Sequence, residues 1–418
     1  MNDTKISQAY AIARERYQEL GIDTEKVLSQ LQDFHLSMHC WQADDVKGFE
    51  VQASALSGGI QSTGNYPGAA RNIDELRSDI LEAKRLIPGS HRLNLHEIYG
   101  DFGDKVVDRD EVSADYFRSW MEWGRENSTF LDFNSTSFSH PKSGNLSLSN
   151  PDPGIRAFWV EHTRRCRDIA DEIGKAQGDP CIMNIWVHDG CKDLSVNHHL
   201  YRSLLKESLD EIFSEKKECM KDCIEGKVFG IGLESFTVGS HDFYTAYAAV
   251  NGLIPTIDTG HYHPTESPAD KVSALLCFVP ELMLHVSRPV RWDSDHVTIM
   301  DDNTLELFSE IVRAGALDRV HYGLDYFDGA MNRVGAYVTG SRAAQKCMLR
   351  ALLEPRELIS AYELEGRSFE TLALLEECKS LPWNAVYDEF CRRNGVPVGD
   401  GYISEVQRYE REVLSGRD

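Results

Sequence analysis

Residues 253–264 read LIPTIDTGHYHP and set the pattern for the whole chain. The first five are almost all apolar, as expected of a short strand covered on both faces, and the run ends on a carboxylate, Asp258, followed by His261. Residues 319–328 (RVHYGLDYFD) follow the same plan and place Asp325 after an apolar run. Buried strands that end in chemically capable side chains are typical of parallel α/β barrels.

Eight such apolar segments alternate with longer helical patterns. They lie at residues 35–41, 92–97, 129–133, 181–187, 228–234, 254–259, 282–287 and 319–325. Residues 199–223 form the helix-like stretch before the fifth segment. This alternation predicts a parallel sheet, and eight units favour a closed (β/α)₈ TIM barrel over an open doubly wound sheet. No GxGxxG follows the first segment, so no dinucleotide site is predicted.

The predicted organisation of the α/β chain has three parts. Residues 1–30 form an N-terminal helical segment and residues 31–340 form the barrel. Residues 341–418 lose the strand pattern and predict a helical extension, expected to contact a neighbouring subunit.

The composition limits the classes of partner. Acidic residues number 67 against 44 basic ones, giving a formal net charge of -23, which repels phosphate backbones and argues against nucleic-acid binding. No stretch approaches the roughly 20 apolar residues of a membrane span. The N-terminal residues carry charges throughout and resemble no signal peptide, so a cytoplasmic location is expected.

Carboxylates and imidazoles collect where the predicted strands end. Because all parallel strands end at the same mouth of a barrel, these side chains are expected to converge. The candidate metal ligands are Glu234, Asp258, His261, His285, Asp293, Asp295 and Asp325. Several carboxylates at one mouth would repel one another unless cations lay among them. Taken singly, each could instead be a helix cap, a salt-bridge partner or a core histidine.

The donor types indicate which ions would suit this mouth. Oxygen ligands with a few imidazoles and no thiolates favour Mn²⁺, Mg²⁺ or Co²⁺ over a thiolate-type zinc site, and there are enough donors for two ions.

Long segments of the sequence resemble one known family. SMHCWQADDVKGFE, LNLHEIYGDF, NIWVHDG, GIGLESFTVGSHDFY, IDTGHYHPTE, HVSRPVRWDSDHV and GLDYFDGAMNR are similar to segments of the bacterial L-rhamnose isomerases. The resemblance covers nearly the whole chain. It implies a TIM barrel similar to xylose isomerase, assembled as a homotetramer, with two divalent ions per subunit, usually Mn²⁺, for which Mg²⁺, Co²⁺ or Zn²⁺ could substitute.

The resemblance also implies roles for individual residues. Glu234, Asp258, His285 and Asp325 would hold a structural ion, and His261, Asp293 and Asp295 a catalytic one. His96 would lie near the sugar ring oxygen, with Trp186 and Asp189 on the substrate side. Many relatives carry Glu-x-Lys at the fifth strand, whereas here the pattern that begins at Glu234 has Phe236 at its third position. Proton transfer would then fall to metal-bound water, and Phe236 becomes a candidate contact for the sugar.

The resemblance implies the conversion of L-rhamnose to L-rhamnulose, the first step of L-rhamnose degradation, by a metal-assisted hydrogen shift between C1 and C2. The candidate catalytic residues are His96, Asp293, Asp295 and Asp325. Hydride transfer and an enediol route both remain open. The alternatives are a metal-dependent hydrolase on the same barrel and a non-catalytic sugar- or metal-binding protein.

Overall fold

Eight parallel strands close into a barrel. The computed structural model describes residues 3–50, 62–228 and 235–417. The barrel strands in chain order are β1 Leu36–His39, β2 His91–His96, β3 Phe130–Asn134, β4 Cys181–Trp186, β5 Met220–Glu225, β6 Ile254–Asp258, β7 Leu282–Val286 and β8 Val320–Leu324. Each strand pairs with its neighbours in chain order, and β1 closes the barrel against β8. The predicted fold class is therefore confirmed.

The strand sequences explain their burial. β6 and β7 are buried at every position, because the barrel interior covers one face and the helical layer covers the other. The side chains that interrupt these apolar runs, Asp258 and His285, stand at or next to the carboxyl end. That end of the barrel is where polar groups can face a mouth instead of a dry interior.

Helices form the outer layer and the two chain ends. They are α1 Asp3–Gln18, α2 Thr24–Gln32, α3 Ile73–Arg85, α4 Arg118–Glu126, α5 Pro153–Gln177, α6 His198–Ile212, α7 His241–Asn251, α8 Ala269–Leu276, α9 Asp302–Arg313, α10 Arg333–Leu352, α11 Arg356–Leu364, α12 Ser368–Lys379, α13 Trp383–Arg393 and α14 Gly401–Glu412. Side-chain caps fix several starts: Asp301 accepts from the Thr304 amide before α9, and Asn332 from the Gly335 amide before α10. In the described part of the chain, no helix is long and apolar enough to cross a membrane.

The fifth strand differs from the prediction. β5 spans Met220–Glu225, whereas the prediction placed a helix over residues 199–223 and the strand at 228–234. α6 ends at Ile212. Besides Glu225 at its end, the strand carries two charged residues that a buried strand seldom tolerates. Both are neutralised, since Lys221 Nζ lies 2.5 Å from Glu281 and Asp222 pairs with Arg167 at 2.8 Å. The more apolar run after it, residues 229–234, lies outside the described residues.

The two ends of the chain pack together beside the barrel. α1 lies against α13, and Arg393 of α13 binds Glu25 at the start of α2 at 2.6 Å. α10 is almost wholly buried and packs on α9 and α3 as part of the outer layer. The division predicted between residues 340 and 341 falls within α10, so the helices beyond the barrel layer begin with α11. Their contact with a neighbouring subunit stays a prediction.

Candidate metal centre

The carboxyl ends of β5 to β8 bring four ligand-type side chains together. Glu225 is the last residue of β5, Asp258 the last of β6, His285 the last but one of β7, and Asp325 directly follows β8. One ligand atom from each lies within 4.8 Å of all the others. His285 Nδ1 lies 2.9 Å from Glu225, 3.5 Å from Asp325 and 3.9 Å from Asp258. Four strands therefore fix one compact set of potential metal ligands.

A second group adjoins the first and shares Asp258 with it. Its other members are His261 and Asp293, again within 4.8 Å of one another. The turn after β6 positions His261, because its amide donates to the Asp258 carbonyl while the Gly260 amide donates to Asp258 Oδ1 at 2.6 Å. His261 Nδ1 lies 2.9 Å from Glu225, and its Nε2 lies 3.3 Å from Asp293.

The loop after β7 supplies Asp293. A bridge between Arg288 and His296 closes this loop, and the Arg288 amide donates to the His296 carbonyl at 2.9 Å. The closed loop presents Asp293 and Asp295 on the side facing the barrel mouth, where both line a cavity. Asp295 adopts a left-handed backbone with φ 45°, a conformation uncommon outside glycine. Such strain is found at functional sites, where the surrounding structure holds it in place.

The electrostatics of the two groups call for a cation. Burial, reinforced by neighbouring carboxylates, raises the pKa of Asp258 and of Asp295 well above the ordinary value. Burial lowers the pKa of His285, but Glu225 and Asp325 outweigh it and raise that pKa to about 9. Asp258 Oδ2, Asp293 Oδ1 and His285 Nε2 are buried and have no hydrogen-bond partner among the described residues. Carboxylate oxygens and imidazole nitrogens that are buried without hydrogen-bond partners are suitable ligand atoms for one or two divalent ions.

A lysine not predicted from the sequence lies between the second group and an aromatic ring. Lys227 Nζ lies 2.6 Å from Asp293 Oδ2 and 4.8 Å from the centre of the Trp186 ring. Burial opposes its charge, but Asp293 and Asp295 raise the pKa of Lys227 above its ordinary value, so the ammonium form persists. The Lys227 ammonium balances part of the carboxylate charge, and its remaining N–H groups are available to the cavity.

The cavity beside these groups has both polar and apolar lining residues, and the apolar residues Trp41, Val46, Phe138 and Phe327 are called its apolar wall. Its lining residues are Trp41, Val46, His96, Asn134, Ser135, Phe138, Asn184, Trp186, Glu225, Lys227, His261, His285, Asp293, Asp295, Asp325 and Phe327. Asn184 donates to Glu225 at 2.5 Å, and Trp41 Nε1 donates to Asp325 at 2.9 Å, so residues of the cavity wall also orient the metal-type ligands. A small molecule with both hydroxyl and apolar groups suits such a cavity.

Comparison with known proteins agrees with this arrangement. The family model of L-rhamnose isomerase (RhaA) matches residues 4–417. The chain belongs to the L-rhamnose isomerase family. It is 71% identical over 412 residues to the L-rhamnose isomerase of Bacteroides thetaiotaomicron, covering 99% of both chains. It is 52% identical to that of Mannheimia succiniciproducens and 50% identical to that of Salmonella gallinarum, again covering 99% of each.

A distant solved structure and the rejected alternative complete the comparison. The D-allulose 3-epimerase of Methylomonas sp. is 10% identical, with a TM-score of 0.43 over 77% of this chain and 97% of its own. The family match confirms the predicted enzyme class, aldose–ketose isomerase, and gives no support to the hydrolase alternative.

The Glu-x-Lys pattern expected at the fifth strand is present in this isomerase. It is formed by Glu225, Gly226 and Lys227, which follow one another at the end of β5. The conclusion that Phe236 replaces the lysine is therefore wrong, because it followed from placing the strand at 228–234. Glu234 lies outside the described residues. The pattern itself was visible in the sequence and could have located the strand.

Two predicted substrate contacts are engaged elsewhere. Asp189 is fully buried and accepts four hydrogen bonds, from the amides and hydroxyls of Ser147 and Ser149, at 2.6–2.8 Å. Its carboxylate holds the loop after β3 and does not line the cavity. Phe236 stacks on His198 at 3.8 Å between ring centres and is also absent from the lining. Neither residue lines the cavity, and the assignment of both to substrate binding stays a prediction.

The remaining predicted residues do reach the cavity. Trp186 and His96 both line it, and His96 Nδ1 lies 3.1 Å from Thr136 Oγ1. Asp258, His261, His285, Asp293 and Asp325 fall into the two ligand groups, and their binding of metal stays a prediction. Asp295 lines the cavity but belongs to neither group.

Proposed function

We propose that the chain interconverts L-rhamnose and L-rhamnulose with the help of two divalent ions, Mn²⁺ in the cell. The observation that carries the proposal is the pair of buried carboxylate–imidazole groups, which share Asp258 and open onto a cavity with an apolar wall. Membership of the L-rhamnose isomerase family supports the choice of substrate.

The residues that would hold the ions follow from the two groups. Glu225, Asp258, His285 and Asp325 would hold one ion, and Asp258, His261 and Asp293 the other, with Asp295 as a further ligand. When bound, such ions supply positive charge that polarises the carbonyl and hydroxyl oxygens at C1 and C2 of the sugar. Hard oxygen donors with two imidazoles support Mn²⁺ over a thiolate-seeking metal.

Lys227 and His96 are the residues we assign to the sugar oxygens. The Lys227 ammonium is buried, charged and fixed by Asp293, so it can donate to a sugar oxygen as negative charge develops there. Burial lowers the pKa of His96 to about 3, so its ring is neutral. Because Nδ1 is used by Thr136, Nε2 is left to exchange a proton with the ring oxygen when the sugar opens.

The apolar wall supports the choice of a 6-deoxy sugar. The cavity lining includes Trp41, Val46, Phe138 and Phe327, and a methyl group placed against them loses no hydrogen bond. These side chains also keep water away from the carbons that exchange hydrogen. In the overall reaction, the hydrogen on C2 moves to C1 and the proton on O2 moves to O1.

The test is ketose formation from L-rhamnose by chelator-treated protein, with and without Mn²⁺. We expect ketose only with metal, and a Glu225→Gln variant should lose more than about tenfold in Mn²⁺ affinity. Glu281→Gln is the matched control, because Glu281 binds Lys221 and His321 away from both ligand groups and should leave metal affinity unchanged. Metal-independent ketose formation would refute the metal assignment. Turnover of other aldoses but not L-rhamnose would refute the substrate.

Labelled substrate distinguishes the two routes of hydrogen transfer. With L-rhamnose deuterated at C2, a hydride shift carries the deuterium to C1 of the ketose. Extensive loss of deuterium to solvent would instead support an enediol route with a residue as base.

We further propose a homotetramer located in the cytoplasm. Apolar side chains on α11 and α12 support an interface, since Leu364 is 86% exposed and Phe369 is 79% exposed. Light scattering of the purified protein tests the assembly, and a monomeric mass would refute it. The location rests on the sequence expectation alone.

A further inference from the structure

A buried arginine lies behind the wall of the cavity. Arg109 belongs to the segment between β2 and α4, is only 1% exposed, and does not line the cavity. A buried guanidinium is costly unless its donors are satisfied, so its partners show what holds it there.

Most of these partners lie in the loop that follows β3. Arg109 Nη1 donates to the carbonyls of Thr136 and Phe138 at 2.8 and 2.6 Å, and Nη2 donates to the Ser139 carbonyl at 3.4 Å. One rigid planar group thus fixes the backbone of a loop at three points.

His162 of α5 completes the connection. The Thr136 amide donates to His162 Nε2 at 3.1 Å, so that nitrogen carries no hydrogen. The other ring nitrogen, Nδ1, must then be protonated and donates to the Arg109 carbonyl at 3.1 Å. Both the carbonyl and the amide of Thr136 are therefore tied to Arg109, the first directly and the second through one histidine.

The loop held in this way carries two parts of the cavity. The Thr136 hydroxyl contacts His96 Nδ1 at 3.1 Å. The Phe138 ring lies 5.8 Å from the His96 ring and 5.8 Å from the Trp186 ring, and all three line the cavity. A shift of the loop would move the apolar wall and release the contact that orients His96.

The same guanidinium also fixes the loops after β1 and β2. It binds the Glu50 carboxylate through Nε and Nη2, and Nε lies 3.7 Å from Glu97, the residue next to His96. Three adjacent loops of the barrel mouth therefore meet at one cation.

We propose that Arg109 is a positioning residue for the isomerase reaction, which sets the location of His96 and Phe138 without touching the sugar. This inference rests on the proposed function, because it assigns those two residues to the sugar cavity. Among the described residues, Arg109 has no hydrogen bond or ion pair with a member of either ligand group, so its effect should fall on sugar binding and turnover and leave metal binding alone.

The test compares two arginine-to-lysine variants. Arg109→Lys keeps the charge but loses the planar set of donors. The matched control is Arg92→Lys. Arg92 is also largely buried, at 13% exposed, and binds a carboxylate, Asp132, at 2.8 Å, but it lies near the start of β2, at the opposite end of the barrel. We expect Arg109→Lys to reduce kcat/KM by about 10- to 100-fold, mainly through a higher KM, with unchanged Mn²⁺ affinity by calorimetry. Arg92→Lys should lower only the melting temperature.

A second pair of variants keeps the proposal testable if Arg109→Lys fails to fold. Thr136→Val removes the hydroxyl that contacts His96, and Thr136→Ser retains it. Loss of kcat/KM in the valine variant with recovery in the serine variant supports positioning. Wild-type kcat/KM in either Arg109→Lys or Thr136→Val overturns it.

The failure of the proposed function would look different. If wild-type protein makes no ketose from L-rhamnose, the substrate assignment is wrong. The aldose that quenches Trp41 and Trp186 fluorescence in the wild type then serves as the probe. Equal affinity of that sugar for wild type and Arg109→Lys would overturn the positioning role.

Discussion

His285 should make the metal-free enzyme lose stability as the pH rises. Its imidazole is buried among Glu225, Asp258 and Asp325, with Nδ1 2.9 Å from Glu225. In the metal-free enzyme, His285 can balance the negative charge of these carboxylates only when its ring is protonated. Burial opposes protonation, but the carboxylates outweigh it and raise the pKa of His285 to about 9.

The magnitude follows from linkage between protonation and folding. An unfolded histidine has a pKa of about 6.5, so the folded state binds this proton more tightly. The resulting stability is fully present below pH 6.5 and is lost as the pH rises through about 9. At about 1.4 kcal/mol per pH unit, His285 contributes about 3 kcal/mol to the decline in the free energy of unfolding between pH 6.5 and pH 9.

Urea unfolding in the presence of chelator, at pH 6.5, 7.5 and 9, measures this decline. The decline should be smaller by about 3 kcal/mol in His285→Asn, which cannot titrate. His321→Asn is the control, because His321 lies at the opposite end of the barrel and its pKa is lowered, mainly by burial. Saturating Mn²⁺ should flatten the wild-type profile, since a metal ion binds the deprotonated ring in place of the proton.

An equal loss of stability in wild type and His285→Asn between pH 6.5 and pH 9 would refute this role of His285. An unchanged wild-type profile with Mn²⁺ would also refute it, because His285 would then not be exchanging a proton for a metal ion.

Three other variants test separate parts of the structure. Lys227→Met should lower kcat of the Mn²⁺-saturated enzyme by about 10²- to 10³-fold, because it removes the donor proposed for the sugar oxygen. The control Lys221→Met should leave kcat unchanged, and equal kcat values in the two variants would contradict the role of Lys227. Gly260→Ala should weaken Mn²⁺ binding in calorimetric titration, because a Cβ there would lie 2.7 Å from Asp293 Oδ1. Gly416→Ala, with open space around it, is the control, and unchanged Mn²⁺ affinity in Gly260→Ala would show that the loop carrying Asp293 can move away. Arg417→Met should lower the free energy of unfolding in urea by about 3–5 kcal/mol, because it leaves Asp79 buried without its ion-pair partner at 2.7 Å. Arg411→Met, at an exposed position, should lower it little, and an equal effect of the two variants would refute this prediction.

The strands that could be predicted are those whose own residues are mostly apolar and so indicate burial. β6 and β7 are apolar except at their carboxyl ends, so the sequence locates both the strand and its functional end. The candidate ligands Asp258, His285 and Asp325 could be predicted for that reason, since a strand end fixes which side chain reaches the mouth.

β5 could not be located in the same way because its neutralising partners are distant in sequence. Lys221 and Asp222 make residues 220–225 look like the end of a helix, and their partners Glu281 and Arg167 lie 60 and 55 residues away. The error then removed Lys227 from the predicted site. The contacts of Asp189 could not be predicted for a related reason, since Ser147 and Ser149, which bind its carboxylate, are about 40 residues distant in sequence.

The two halves of the barrel divide the chemistry between them. The ligand-type residues come from β5 to β8 and the loops after them. In the cavity wall, His96 ends β2, Phe138 follows β3 and Trp186 ends β4. Asn184 joins the halves, since it accepts from Thr256 at 2.7 Å and donates to Glu225. Substitutions behind the first half, at Arg109 above all, should therefore alter which sugar is bound. Substitutions in the second half should alter metal affinity first, because there the carboxylates are held against one another by strands that cannot move apart without opening the barrel.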